Sequence, residues 1–251
     1  MARSFASAST QYLRNIVGTG PSGSSARTCA CWLWVSSAST RQCAIHWGNW
    51  GLVRQTWVFG VESGKIYVGT WADDYAGTNN IPTSQWTHIA VTYASGSTAI
   101  KGYIDGVLDK THTLGAALNT QNSNGIAIAA WFTTSAVNPL NGRVADAAIW
   151  DADLTEQEIM GLARGNYPPT VRPQSLRNYY PLGGRYGQSD NDFWKSKIDL
   201  TATNSPTWVE HPRIVYPQVM ALPSKGAGGG GGGVAKPVLF HSYYMSQGMR
   251  P

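Results

Sequence analysis

Five tryptophans, Trp47, Trp50, Trp57, Trp71 and Trp131, stand in segments that also carry Asn49, Asp73, Asp74, Tyr75, Asn79 and Asn80. These residue types suit sugar recognition. An indole face stacks against the C–H face of a pyranose, and neighbouring Asn and Asp side chains pair with its hydroxyls. The candidate binding set is Trp47, Trp50, Trp71, Asp73, Asp74 and Tyr75. A core role competes with it, because large rings often fill a sandwich interior. Hydrolytic chemistry is poorly provided for. The chain has only four glutamates, Glu62, Glu156, Glu158 and Glu210. None has the spacing that would aim a carboxylate pair at one bond. Asp73-Asp74 is the one adjacent acidic pair and reads as a turn. The histidines His46, His88, His112, His211 and His241 lie in no nucleophile elbow.

The elements that must position these residues read as strands. In Trp86–Tyr93, Ile89, Val91 and Tyr93 alternate with His88, Ala90 and Thr92, the period of a half-buried strand. Tyr103-Ile104-Asp105-Gly106-Val107-Leu108 predicts a hairpin through a type I′ turn. Leu154-Thr155-Glu156-Gln157-Glu158-Ile159 predicts a helix start with a Thr155/Glu158 capping box and a Leu154–Ile159 staple. The helix is expected over Thr155–Arg164, with Gly165 closing it. A strand over Arg143–Trp150 precedes it.

The order Q-W-T-H-I-A-V-T-Y, K-G-Y-I-D-G-V-L, N-G-R-V-A-D-A-A-I-W-D-A-D-L-T-E-Q-E-I, from Gln85 onward, resembles the laminin-G-like jellyroll of the concanavalin A-like lectin and glucanase superfamily. Arg3–Ala6, Gln11–Leu13, Cys29–Val35, Asn124–Trp131 and Leu176–Leu182 resemble further strands of that family, as do Asp199–Thr203 and Pro206–Val209. The resemblance implies an all-β, two-sheet antiparallel jellyroll sandwich with one short helix and an extended C-terminal arm. The laminarinase-like enzymes of that fold carry Glu-x-Asp-x-x-Glu or Glu-x-Asp-x-Glu on one strand. This chain lacks both, so no enzymatic activity is expected. Many relatives bind calcium, which makes Asp105 and Asp146 the candidate metal ligands, with structural capping by these aspartates as the default role. Asp146 matches the family's "G-R-x-x-D" aspartate, although Ala145 stands where relatives are often acidic. No other cofactor is implied.

Bulk properties bound the partners. The 251 residues are 42% hydrophobic and only 13% charged, with 28 Gly and 11 Trp. Such a chain has material for a core and a surface of Ser, Thr, Asn and Gly. The net charge is +5, and residues 166–251 hold nine Lys or Arg against four Asp or Glu. The cations there are scattered, so nucleic acid is not the expected target. Cys29, Cys31 and Cys43 form no disulfide framework and suggest a product made in a reducing cytoplasm. No signal peptide or membrane span is read in the chain.

Residues 1–212 are expected to form the jellyroll with its strand extension, and 213–251 a glycine-rich linker and tail. In that tail Val238, Leu239, Phe240, Tyr243, Tyr244 and Met245 supply an apolar anchor. A signal-free jellyroll with such an arm suggests a virion structural protein of a phage, decorating a capsid or fibre. Its partners would be other copies of itself and a major capsid or fibre protein. The alternative is a carbohydrate-binding adhesin that recognises host surface glycans.

Overall fold

The computed structural model describes residues 2–213 apart from 19, 123, 184–190 and 195–196. The chain divides into two units, Met1–Val215 and Tyr216–Pro251. The second, with Val238, Leu239, Phe240, Tyr243, Tyr244 and Met245, lies outside the described residues.

Period-two alternation builds two antiparallel sheets that pack face to face. The first runs in the order Val107–Thr113, Ala99–Ile104, Trp86–Tyr93, Arg27–Val35, Gly142–Trp150, Ala2–Phe5 and Thr207–Val209, and Leu176–Tyr180 also pairs with Gly142–Trp150. The second runs Thr201–Thr203, Tyr12–Arg14, Ile126–Ile128, Gln42–Gly48, Thr56–Glu62, Lys65–Gly69 and Tyr75–Ala76. Leu33, Ile89, Val91 and Val144 of the first sheet meet Leu13, Ile45, Trp47, Trp57 and Phe59 of the second in one core. This is the expected jellyroll sandwich. Cys29, Cys31 and Cys43 are buried free thiols. Among the described residues no helix is long and apolar enough to cross a membrane.

Local chemistry explains the connections. Asp105 and Gly106 have φ of 48° and 83°, the positive pair of a type I′ turn, with Ile104 opposite Val107. The helix spans Glu156–Ala163, between a Thr155 N-cap and an Arg164 C-cap. Thr155 Oγ1 accepts from the Glu158 amide at 3.3 Å, and the Thr155 amide donates to Glu158 Oε2 at 2.8 Å. Leu154, Ile159 and Leu162 press onto Ala30, Ala90, Tyr103 and Ala148 of the first sheet. That cover buries both faces of Trp86–Tyr93, which the alternation alone reads as half-buried. The stretch Asn124–Trp131 is not one strand. It divides into Ile126–Ile128 and Trp131–Phe132 around Ala129, whose φ is 68°. The segments expected near Asp199–Thr203 and Pro206–Val209 become Thr201–Thr203 and Thr207–Val209, one at the edge of each sheet.

Two buried histidines tie stability to pH. Burial, reinforced for His46 by Arg14, pushes His46 and His88 down from 6.5 to about 3. Both stay neutral in the fold, whereas the unfolded chain protonates them near 6.5. Stability is therefore complete above that value and is lost as pH falls from it toward 3. The urea midpoint is expected to be lower at pH 5.5 than at pH 7.5, and His88→Gln should narrow the difference. An equal or higher midpoint at the lower pH would contradict this.

Candidate functional site

The second sheet has one face in the core and one facing outward. In Thr56–Glu62 the side chains of Trp57, Phe59 and Val61 point inward, so Thr56 and Val58 point out. In Lys65–Gly69, Ile66 and Val68 point inward, so Tyr67 and Gly69 point out. Three tryptophans arrive over this outer face from different places. Trp50 follows the strand Gln42–Gly48, Trp71 follows Lys65–Gly69, and Trp131 opens the small hairpin Trp131–Phe132/Ala136–Val137. Trp50 meets Trp71 and Trp131 edge to face, with ring centroids 3.7 and 4.2 Å away. Together with Arg41, Tyr67 and Asp74 they line a cleft of about 290 Å³. Its floor includes Gly69, where a Cβ would stand 2.8 Å from the Tyr67 hydroxyl. The bare glycine therefore leaves room for that ring.

Polar groups in the cleft are fixed by one another. Arg41 makes a fork to Glu62, with Nε to Oε1 at 2.9 Å and Nη2 to Oε2 at 3.1 Å. Its guanidinium lies 4.3 Å from the centroid of the Tyr67 ring. The Tyr67 hydroxyl donates to Asp74 Oδ2 at 2.6 Å, and the Thr70 amide donates to Asp74 Oδ1 at 2.9 Å. Burial, then the Asp74 carboxylate, pushes the Tyr67 hydroxyl far above its ordinary value, so it remains a donor.

The loop bearing Trp71 is held in a costly shape. Trp71 and Ala72 have φ of 68° and 64°. Left-handed backbone at non-glycine residues costs on the order of 1–3 kcal/mol each, and it persists where the surroundings over-determine it. Here Thr70 Oγ1 donates to the Asp73 carbonyl at 2.6 Å, the Arg54 amide to the Thr70 carbonyl at 2.6 Å, and Arg54 Nε to Asp73 Oδ2 at 2.8 Å.

The candidate residues thus separate. Trp50, Trp71 and Asp74 come together. Trp47 corrects the sequence expectation. It is 0% exposed, it stacks on Trp57 with centroids 5.4 Å apart, and its Nε1 donates to the Pro21 carbonyl. Its alternation places it inward, so it offers no face to a ligand. Tyr75 is a second correction: it is fully buried, with its hydroxyl 3.3 Å from Asp109 Oδ2. Asp73 turns to Arg54 and the Gly115 amide and is not among the residues lining the cleft. Asn49 accepts from Asn124, and Asn79 donates to Asp109. Arg41 and Tyr67 are the polar lining residues with side-chain contacts to the site that sequence reasoning missed; Thr56, Val58, Gly69 and Ala72 were missed as well. The signal was present for Tyr67, which alternates outward beside Ile66 and Val68. No spacing signals Arg41.

The proposed metal ligands stand in hydrogen-bond networks of their own. Asp105 Oδ1 accepts from the His88 amide at 2.8 Å. Asp146 Oδ1 accepts from the Tyr179 hydroxyl at 2.6 Å, and its Oδ2 lies 3.4 Å from His211 Nε2. Among the described residues no three His, Cys, Asp or Glu side chains gather as a metal site would require. Calcium takes six to eight converging oxygens, and these surroundings do not fit it.

The family model described as the concanavalin A-like lectin/glucanases superfamily matches residues 8–160. No curated protein matches the sequence. Among solved structures, a Bacteroides ovatus protein with a provisional carbohydrate-binding assignment aligns with a TM-score of 0.63 at 18% identity, over 82% of this chain and 58% of that one. The chain therefore spans less than two thirds of that protein. A heptameric SAP-like pentraxin from Limulus polyphemus aligns with a TM-score of 0.48 at 16% identity, over 61% of this chain and 75% of that one. The CBM40 domain of the Ruminococcus gnavus IT-sialidase, bound to α2,3 sialyllactose, aligns with a TM-score of 0.48 at 12% identity, over 61% of this chain and 97% of that one.

Proposed function

This chain belongs to the concanavalin A-like lectin/glucanases superfamily, and within that fold we propose that it is a non-catalytic carbohydrate-binding module. The observation that carries this reading is the cleft in which Trp50, Trp71 and Trp131 converge beside the Tyr67–Asp74 pair. A sugar ring lays a C–H face on an indole there, and Asp74 accepts from its hydroxyls with the lone pairs that Tyr67 and Thr70 leave free. The volume suits roughly one or two sugar rings, at the small end of ligand pockets. Asp74 is the one carboxylate among the described lining residues. Glycoside hydrolysis needs two flanking the bond, which supports a binding role. The Bacteroides ovatus neighbour, with its own carbohydrate-binding assignment, is compatible with this reading.

The expectation of a virion structural role rests on the arm, and its anchor residues lie outside those described. Nothing in the described residues or the comparisons favours it over glycan binding.

Isothermal titration calorimetry against oligosaccharides chosen from a glycan-array screen tests the reading. Wild-type protein is expected to bind at least one glycan saturably. Trp71→Ala should weaken that binding by about tenfold or more, the scale of a lost aromatic anchor. Equal affinity of Trp71→Ala and wild type would remove the cleft from the account.

A further inference from the structure

We infer that the cleft selects uncharged sugars and discriminates against acidic ones such as sialic acids and uronates. This rests on the glycan-binding reading and goes on to name its ligand class. Arg41 is the one cation among the described residues that line the cleft. Its charge is already paired: Nε and Nη2 grip Glu62, and its plane lies over Tyr67. An acidic ligand at Arg41 would have to share its charge with Glu62, whose side chain is 32% exposed, and would bring a second anion beside that carboxylate. The pairing also cancels charge. Arg41 and Glu62 neutralise each other, and Asp74 leaves the cleft one negative charge in excess.

Asp74 carries that charge on a fixed carboxylate, clamped by the Tyr67 hydroxyl and the Thr70 amide. Among the described residues no further donor reaches it, so its remaining lone pairs are left as acceptors for the cleft. Sugar hydroxyls are donors and satisfy them. A ligand carboxylate is an acceptor only, and it would stand within a Debye length of Asp74, about 8 Å at physiological salt, where screening is incomplete. Juxtaposed like charges of this kind suppress wrong partners.

The test uses the full chain and matched probes: lactose against 3′-sialyllactose, and neutral α1,4-galactotriose against tri-galacturonate, each titrated by calorimetry at low and physiological salt. Neutral probes are expected to bind at least about tenfold tighter than their acidic counterparts, with a smaller ratio at higher salt. Asp74→Asn should shrink the ratio by relieving repulsion of the acidic probes. Glu62→Gln should shrink it by releasing Arg41, which keeps the inference testable if Asp74→Asn fails to fold. Tighter binding of an acidic probe by wild type overturns the inference and leaves the glycan-binding reading standing. An unchanged ratio in both folded variants also overturns it. Binding of no glycan by folded protein overturns the reading itself, and the inference with it.

Discussion

Replacing Trp50 with alanine is expected to weaken glycan binding by roughly 30-fold or more, about 2 kcal/mol, while the protein stays folded. Trp50 is the hinge of the aromatic set. It touches Trp71 on one side and Trp131 on the other, and it is only partly buried. Removing it takes away one stacking surface and leaves Trp71, on its left-handed turn, without its ring partner. Central aromatic anchors in binding sites lose about 2–4 kcal/mol on truncation. Calorimetric titration measures the loss, and a thermal melt in the same buffer checks the fold. Unchanged affinity would show that the sugar lies elsewhere.

Trp57→Ala should do the opposite, costing about 3–5 kcal/mol of folding stability. Trp57 is 0% exposed and stacks on Trp47 at an interplanar angle of 25°, with the Arg27 guanidinium 5.5 Å from its ring. No neighbouring element is free to close the cavity, because the strands on both sides are held in register. For a domain whose total stability is on the order of 5–15 kcal/mol, this is a large share. Urea unfolding reads the effect, and a loss below about 1 kcal/mol would contradict the core placement.

These two tryptophans, seven residues apart, show how far the sequence carries. The architecture was legible because its signals are local: the alternation of Trp86–Tyr93, the Asp105-Gly106 turn and the Thr155/Glu158 box each act within a few residues. The site was legible in part. Trp50, Trp71 and Asp74 were candidates because of residue type and company, but Trp47 was a candidate for the same reasons. What separates them is position relative to strand ends. Trp47 pairs directly with Trp57 across two strands and shares its inward face. Trp50 lies beyond Gly48, whose φ of 96° ends the strand and turns the chain outward. A bulge between Cys43 and Ile45 also shifts the alternation within that strand, so counting from its start misplaces the faces. The left-handed backbone of Trp71 is imposed by the Thr70, Asp73 and Arg54 contacts and has no signature in residue type. Arg41 reaches Tyr67 and Glu62 only because three strands pair side by side, a juxtaposition that sequence spacing does not encode.

The most direct test of the central claim follows the indole N–H resonances of ¹⁵N-labelled protein, with each tryptophan assigned by single substitution, during titration with the tightest neutral glycan from the array. The indole signals of the partly buried Trp50 and Trp71 should move together and saturate at the calorimetric affinity, while those of Trp47 and Trp57, which lie in the core, stay nearly still. Saturable shifts confined to Trp32, Trp34 and Trp86, on the opposite sheet, would contradict the account.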